Sequence, residues 1–169
     1  MAPLVVMLFG WLAFRLLGEL GVVSSGGTWT GALRYALAAM FIFTAGSHFA
    51  PRTRQDLVRM VPPVLPKPEL LVTMTGIFEL LGGIGLLLPP FVSLAALALS
   101  ILLIAMFPAN INAAQQGLTV GGRAATPLAL RFPMQLFWIG ALWWIAGEYA
   151  PAVVGGRVEF IQQPLAKVM

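Results

Sequence analysis

Long apolar runs with few charged positions dominate the chain, and five of them are long enough to cross a membrane. They cover residues 4–24, 30–49, 69–88, 91–110 and 130–149. A hydrocarbon core about 30 Å thick needs about 20 helical residues, because each residue of an α-helix rises about 1.5 Å. The pattern predicts an all-α integral membrane protein, a bundle of five transmembrane helices that forms a single domain over residues 1–169.

Two links between the runs add detail to this bundle. The third run is connected to the fourth only through Leu88-Pro89-Pro90. A link this short means that the two spans must be antiparallel neighbours. In the longer link over residues 50–68, Thr53 and Asp56 have the spacing of a capping box at a helix start. We therefore expect a short interfacial helix in this link.

The composition excludes whole classes of protein. The chain is 59% hydrophobic and 9% charged, with a mean hydropathy of +0.90, whereas soluble domains are about 25% charged. It has no cysteine, which excludes disulfides, thiol relays and iron–sulfur clusters, and His48 is the only histidine. One chain therefore cannot build a bis-histidine haem site or a histidine-rich metal site, and we expect no metal and no cofactor of its own beyond an organic ligand.

Positive charge in the loops predicts the orientation. We define side A as the end of the bundle that holds the start of the first span and the links over 50–68 and 109–129, and side B as the other end. Side A carries six basic residues, namely Arg52, Arg54, Arg59, Lys67, Arg123 and Arg131, whereas the ends at side B carry only Arg157 and Lys167. By the positive-inside rule, side A is cytoplasmic in a bacterial inner membrane, so the N-terminus lies inside and the C-terminus outside. The same distribution does not form a nucleic-acid-binding face.

Charged residues within the spans predict a buried network, because an isolated charge is unfavourable in hydrocarbon. Counted from side A, Arg15 lies about 16 Å deep and Glu79 about 15 Å deep, while Glu19 and Arg34 both lie about 22 Å deep. We expect Arg15 to meet Glu79 near the midplane and the four residues to pair. This network either only joins the first three spans, or it holds in Glu79 a catalytic group that exchanges protons.

Small residues near Glu79 also allow two interpretations. Thr75, Gly76, Gly82 and Gly83 lie on much the same side of the third span, where they admit either another helix or a flat ligand. Small residues in a membrane helix most often indicate helix packing, so that interpretation is favoured.

A second polar group lies near side A and predicts a ligand-binding vestibule. Its members are spaced to form one stripe on the second span and one on the fifth, with an amide from the fourth: His48, Asn110, Arg131, Gln135 and Trp138. No acid in the spans lies at their depth, so their donors should be free for a carbonyl or an anionic headgroup. The vestibule should lie between the second, third and fifth spans and lead toward Glu79. The alternative for His48 is an interfacial histidine bonded to a backbone carbonyl.

Four segments of the chain resemble the DoxX family of small bacterial membrane proteins. They are FIFTAGSHFAP, MVPPVLPKPELLVTMTGIFELLGGIGLLLPP, FPANINAA and LRFPMQLFWIGALWW, and the likeness covers roughly residues 30–148. The Gly-x-x-Glu-Leu-x-Gly-Gly element that begins at Gly76 is its most specific part. Members of that family are four-helix proteins, and some accompany quinone-linked oxidoreductases. The resemblance implies a four-helix core from the second to the fifth span with an additional N-terminal helix, and it supplies no reaction.

Three functions fit these observations. The leading hypothesis is a membrane subunit that binds a lipophilic ligand, with a quinone as the best candidate, and supports a partner oxidoreductase; any enzymatic role is then that of an accessory subunit. The second is a non-catalytic scaffold, receptor or assembly factor. The third is a small transporter or lipid isomerase that uses Glu79 as its acid. The partners we expect are the lipid bilayer, a redox subunit and, as an open alternative, further copies of the chain.

Overall fold

The computed structural model describes residues 2–23, 26–124, 126–150, 152–154 and 157–159. In these residues the chain is helical apart from two short antiparallel strand pairs, β1 with β2 and β3 with β4. The helices are α1 (Ala2–Glu19), α2 (Trp29–Phe49), α3 (Pro51–Met60), α4 (Pro68–Leu87), α5 (Val92–Gln115) and α6 (Leu128–Glu148). The strands are β1 (Thr119–Val120), β2 (Arg123–Ala124), β3 (Ala152–Val154) and β4 (Arg157–Glu159).

Four helices of the described chain are long and apolar enough to cross a membrane. They are α1, α4, α6, and α5 together with the 3-10 turn Pro89–Phe91 before it. This confirms a helical protein of membrane character. The α2 helix has 21 residues, as many as α6, but Arg34, Ser47 and His48 lower its hydropathy, and it does not belong to this group.

The α2 helix forms the centre of the bundle. It packs most extensively against α4 and α1, α5 packs against α4 and α6, and α2 meets α6 over a much smaller area. The third and fourth predicted spans, which correspond to α4 and α5, are therefore neighbours as expected. Most of α2 is buried, and its side chains supply much of the apolar core: Ala32, Leu33, Ala36, Leu37, Met40 and Phe41.

Glycines on α4 allow its close contact with the neighbouring helices. A Cβ atom on Gly76 would lie 2.5 Å from the Cβ of His48, and one on Gly83 would lie 2.9 Å from Ile42 Cγ1, both on α2. On another side of α4, a Cβ on Gly82 would lie 2.5 Å from the side chain of Leu99 on α5. The small residues near Glu79 therefore serve helix packing, the interpretation that the sequence favoured.

The link between α2 and α4 forms the expected short helix with a different start. The α3 helix begins at Pro51, and no side chain caps it. The Thr53 hydroxyl instead donates to the carbonyl oxygen of Ser47 at 2.6 Å, and an Asp56 carboxylate oxygen accepts from the amide of Gly121 at 2.9 Å. The capping-box prediction was wrong, because both side chains bind neighbouring segments of the chain rather than the amides of α3.

The first and fourth predicted spans also end at different residues from those expected. The α1 helix ends at Glu19, five residues before the predicted boundary at 24. The α5 helix continues past 110 to Gln115 in spite of Pro108, and the β1–β2 hairpin follows it. The link over 109–129 is thus largely ordered structure, which the sequence analysis did not predict.

Candidate ligand-binding site

A cavity of about 540 Å³ opens at side A. Its walls come from α2, α5 and α6, and the start of α1, the α3 helix and the β1–β2 hairpin complete it. All five predicted ligand-binding residues line it, namely His48, Asn110, Arg131, Gln135 and Trp138. In one respect the prediction was wrong: α5, the fourth span, forms the wall that we assigned to the third, because α4 lies behind α2 and contributes no side chain to this cavity.

Arg131 and Gln135 are already bonded within the protein. The Nε of Arg131 donates to the carbonyl oxygen of Thr126 at 2.8 Å, and its Nη1 donates to Oδ1 of Asn110 at 2.5 Å. The Nε2 of Gln135 donates to the carbonyl oxygen of Leu103 at 3.0 Å. The expectation that these donors are free was therefore wrong in part, because two backbone carbonyls and the side-chain oxygen of Asn110 accept hydrogen bonds from them. A guanidinium has five N–H groups and an amide two, so each side chain retains donors.

Trp138 carries a donor that remains unused. Its indole Nε1 is buried and makes no hydrogen bond to any described residue. An indole N–H can only donate, and a buried donor without an acceptor is unfavourable by about 1–3 kcal/mol. Because Nε1 itself has no appreciable exposed area, a ligand oxygen would satisfy it after a rotation of the indole ring turns Nε1 toward the cavity. Of the five predicted residues, Trp138 gives the strongest indication of a ligand.

His48 and Glu79 form a buried pair next to the cavity. The Nδ1 of His48 lies 2.8 Å from the carbonyl oxygen of Val72, and because a carbonyl can only accept, Nδ1 carries a hydrogen. The Nε2 lies 3.5 Å from Oε2 of Glu79, and each residue is 5% exposed. The pair is electrically neutral when it holds one proton between these two atoms, as imidazolium and carboxylate or as imidazole and carboxylic acid.

Glu79 does not line the cavity itself. His48 lines it and contacts Glu79 through Nε2, and Thr44, a further lining residue, lies beside the Glu79 carboxyl. The predicted vestibule thus leads to Glu79 by way of these two α2 side chains. The bond from His48 to Val72 also agrees with the alternative interpretation of His48 as a histidine bonded to a backbone carbonyl.

The predicted network of four charged residues is not assembled. Arg15 forms an ion pair with Glu19, one turn further along α1, and its guanidinium lies 5.0 Å from the centre of the Trp29 ring. It does not meet Glu79, because α1 and α4 pack on different sides of α2. The Glu19 side chain is 59% exposed, since α1 ends there instead of continuing to residue 24.

Arg34 is 2% exposed and lies between two aromatic rings. Its guanidinium carbon is 4.6 Å from the centre of the Tyr35 ring and 4.9 Å from that of Tyr149. The predicted pairing of Arg34 with Glu19 was therefore wrong, because Glu19 pairs within its own helix and aromatic faces stabilise the Arg34 cation. This cluster lies at the side B end of α2, away from the cavity.

Sequence reasoning missed two contributors to the site. Arg54 on α3 donates to the carbonyl oxygen of His48 at 3.1 Å and to the hydroxyl of Thr73 on α4 at 2.9 Å, so it fixes the end of α2 that carries His48. The second is the β1–β2 hairpin, whose Val120 and Gly121 line the cavity. A Gly-Gly pair between short β-prone segments is a hairpin signal, and Gly121 and Gly122 do adopt positive φ here.

A protein-family model matches most of the chain. Residues 37–146, more than half of its length, match the model described as Domain of unknown function (DUF8561). The chain belongs to this family. The DUF8561 match runs from the middle of α2 to near the end of α6, so it includes His48, Glu79 and the polar residues of the cavity, while α1 lies outside it. No curated protein and no solved structure matches the chain.

Proposed function

We propose that this DUF8561 protein is a DoxX-like membrane subunit that binds a lipophilic ligand of the quinone class in the side A cavity and supports a partner oxidoreductase. The observation that carries the proposal is a side A cavity lined by polar side chains, among them Trp138, whose buried indole N–H has no hydrogen-bond partner in the described chain. A quinone has a flat ring and two carbonyl oxygens that only accept hydrogen bonds. Trp138, together with the remaining N–H groups of Arg131 and Gln135, supplies donors for both.

The proposal includes five spans, with α2 as the fifth. The α2 helix is as long as its neighbours, and α1 and α4 pack along it within the bundle. Protein rather than lipid therefore surrounds most of it, which allows polar side chains that a lipid-facing helix would exclude. Side A is the cytoplasmic end in this arrangement, and the membrane is the inner membrane of a bacterium.

His48 and Glu79 supply a proton site in this proposal. A quinone takes up protons when a partner enzyme reduces it, and the pair beside the cavity holds one proton between Nε2 of His48 and Oε2 of Glu79. His48 and Thr44 line the cavity and lie beside Glu79. We assign to Glu79 the role of proton exchange and to the chain the role of an accessory subunit.

The alternative is a scaffold, receptor or assembly factor without a ligand. The internal bonds of Arg131 and Gln135 favour it, because they also tie α6 to α5. A transporter or lipid isomerase that uses Glu79 as its acid is the third candidate. Mass spectrometry of lipids copurified with the protein separates these functions: a quinone supports the first, another lipid the third, and only bulk phospholipid the second.

Replacement of Trp138 by Phe tests the proposed ligand contact. We expect Trp138→Phe to bind decylubiquinone about two- to tenfold more weakly by calorimetry, since one hydrogen bond contributes about 0.5–1.5 kcal/mol and 1.4 kcal/mol is a factor of ten. Trp143→Phe on the same helix is the matched control, because Trp143 is 61% exposed and does not line the cavity. Equal affinities in the two variants would contradict the assignment, and no binding to the unaltered protein would overturn the proposed function.

A further inference from the structure

The cavity lies between α2 and α6 at side A, where these two helices are farther apart than at side B. At side B these helices approach each other, with the Arg34 guanidinium carbon 4.9 Å from the Tyr149 ring centre. At side A, Thr44 and His48 of α2 and Arg131 and Gln135 of α6 instead line the same 540 Å³ space. The bundle is therefore closed at one end and parted at the other, on the flank opposite α4.

The aqueous end of the cavity is covered. The β1–β2 hairpin lies against α3, with the Gly121 amide bonded to the Asp56 carboxylate at 2.9 Å. The Asn112 side chain of α5 donates to the carbonyl oxygen of Met60 at 3.0 Å and holds the other end of α3. Leu57 from α3 and Val120 from the hairpin form the apolar inner surface of this cover. A water-soluble ligand would have to displace these contacts to reach Trp138.

The flank of the cavity between α1 and α6 is apolar, and within the described residues α1 makes no extensive contact with α6. Ala2 and Pro3 of α1, Phe43 of α2 and Met134 of α6 line it. Phe43 is 53% exposed although it lines the cavity, so this part of the wall faces the surroundings of the bundle. Among the described elements, α1 packs extensively only against α2, so this wall can move without breaking contacts with α6.

We propose that the ligand enters sideways from the bilayer, through the gap between the start of α1 and α6, while the hairpin closes the aqueous end. This inference rests on the proposed function. The polar groups then receive the headgroup, and Phe43, Pro3 and Met134 contact an apolar tail that remains in the lipid. The ligand is by this argument a membrane-dissolved amphiphile with a hydrogen-bond-accepting head and a long tail. The α1 helix, which lies outside the DUF8561 match, is the movable side of the gap.

Chemical staples test the route, and the absence of native cysteine makes them specific. Pro3→Cys with Met134→Cys, joined by a reducible bismaleimide after folding, closes the gap. Leu57→Cys with Val120→Cys is the matched control and fixes the cover instead. The probe is decylubiquinone added to phosphatidylcholine proteoliposomes, and the readout is the rate of quenching of Trp138 fluorescence, taken as the difference from the same protein with Trp138→Phe.

We expect the gap staple to slow quenching by about tenfold or more relative to the same double-cysteine protein before linkage, and reduction of the linker to restore the rate, because the staple closes the entry route. The cover staple should leave the rate unchanged. Slowing by the cover staple, or no slowing by the gap staple, would overturn the lateral route while the proposed function stands. Absence of Trp138 quenching before stapling would overturn the proposed function itself, and the lateral route with it.

Discussion

At the scale of single residues, the buried contact between His48 and Glu79 stabilises the bundle. Val72 fixes the hydrogen on Nδ1 of His48, so only Nε2 faces the carboxyl of Glu79. Either residue alone would leave a buried polar or charged group without its partner, which is unfavourable by several kcal/mol. Thr75, whose hydroxyl lies 3.3 Å from Nδ1, adds a contact on the same side of the ring. The pair therefore stabilises the bundle, in addition to its proposed role in proton exchange.

A double-mutant cycle on these two residues tests the pairing. We expect Glu79→Gln and His48→Gln to couple by about 0.5–3 kcal/mol in the free energy of unfolding in detergent, because each removes the partner of the other. Arg15→Gln combined with Glu79→Gln is the control, since these side chains lie on opposite sides of α2, and their effects should add within about 0.5 kcal/mol. Coupling in the control and none in the first pair would restore the network that the sequence predicted.

At the scale of elements, α2 is less apolar than the helices around it, and its position in the bundle gives the physical reason. The α2 helix contains Arg34 and His48, both almost fully buried, and it is not among the helices apolar enough to cross a membrane by composition. Exposed side chains of α1, α4, α5 and α6 are mainly large and apolar, whereas α2 has protein on several sides. In the proposed five-span arrangement, hydropathy underestimates α2, because protein rather than lipid surrounds this central helix.

The crossing of α2 and α4 depends on Gly76. We expect Gly76→Ala to lower the free energy of unfolding by about 1–3 kcal/mol, because its methyl group would meet the Cβ of His48 and force the helices apart. Gly140→Ala on α6 is the matched control: nothing lies within 4 Å of the added carbon, so it should be neutral or stabilise by up to about 1 kcal/mol. Equal effects of the two changes, measured by thermal unfolding in detergent, would show that the contact is not tight.

At the scale of the whole molecule, the segments that line the candidate site lie together at side A. The start of α1, the α3 helix and the β1–β2 hairpin all line the same cavity, so the three segments that the sequence assigned to one end of the bundle do lie together. That end also carries exposed basic residues on α3 and on the link to α4, among them Arg52, Arg59 and Lys67. The proposed cytoplasmic position of side A would place the cover of the cavity next to soluble partners.

Reporter fusions test this orientation and the number of spans together. Alkaline phosphatase fused after Met169 should be active, because five spans with side A inside place the C-terminus outside. A fusion after Lys67, in a link that the proposal places in the cytoplasm, is the control and should be inactive. Activity at Lys67 with none at Met169 would contradict the proposed orientation, and equal activity of fusions after Gly27 and after Lys67, which lie on either side of α2, would mean that α2 does not span the membrane.

Hydrophobic runs by themselves determined the helical membrane character, the approximate bounds of the long helices and the pairing of α4 with α5, because a run of apolar residues and a short link leave few alternatives. Helical periodicity also predicted the polar stripes that supply His48, Asn110, Arg131, Gln135 and Trp138 to the site, since each stripe needs only local geometry. Only the tertiary structure decided which stripe meets which. The depth of a residue along its own helix is a local property, and the sequence was enough to estimate it for Arg15 and Glu79. Which helices are neighbours depends on packing across the whole bundle, and in that packing α2 lies between α1 and α4.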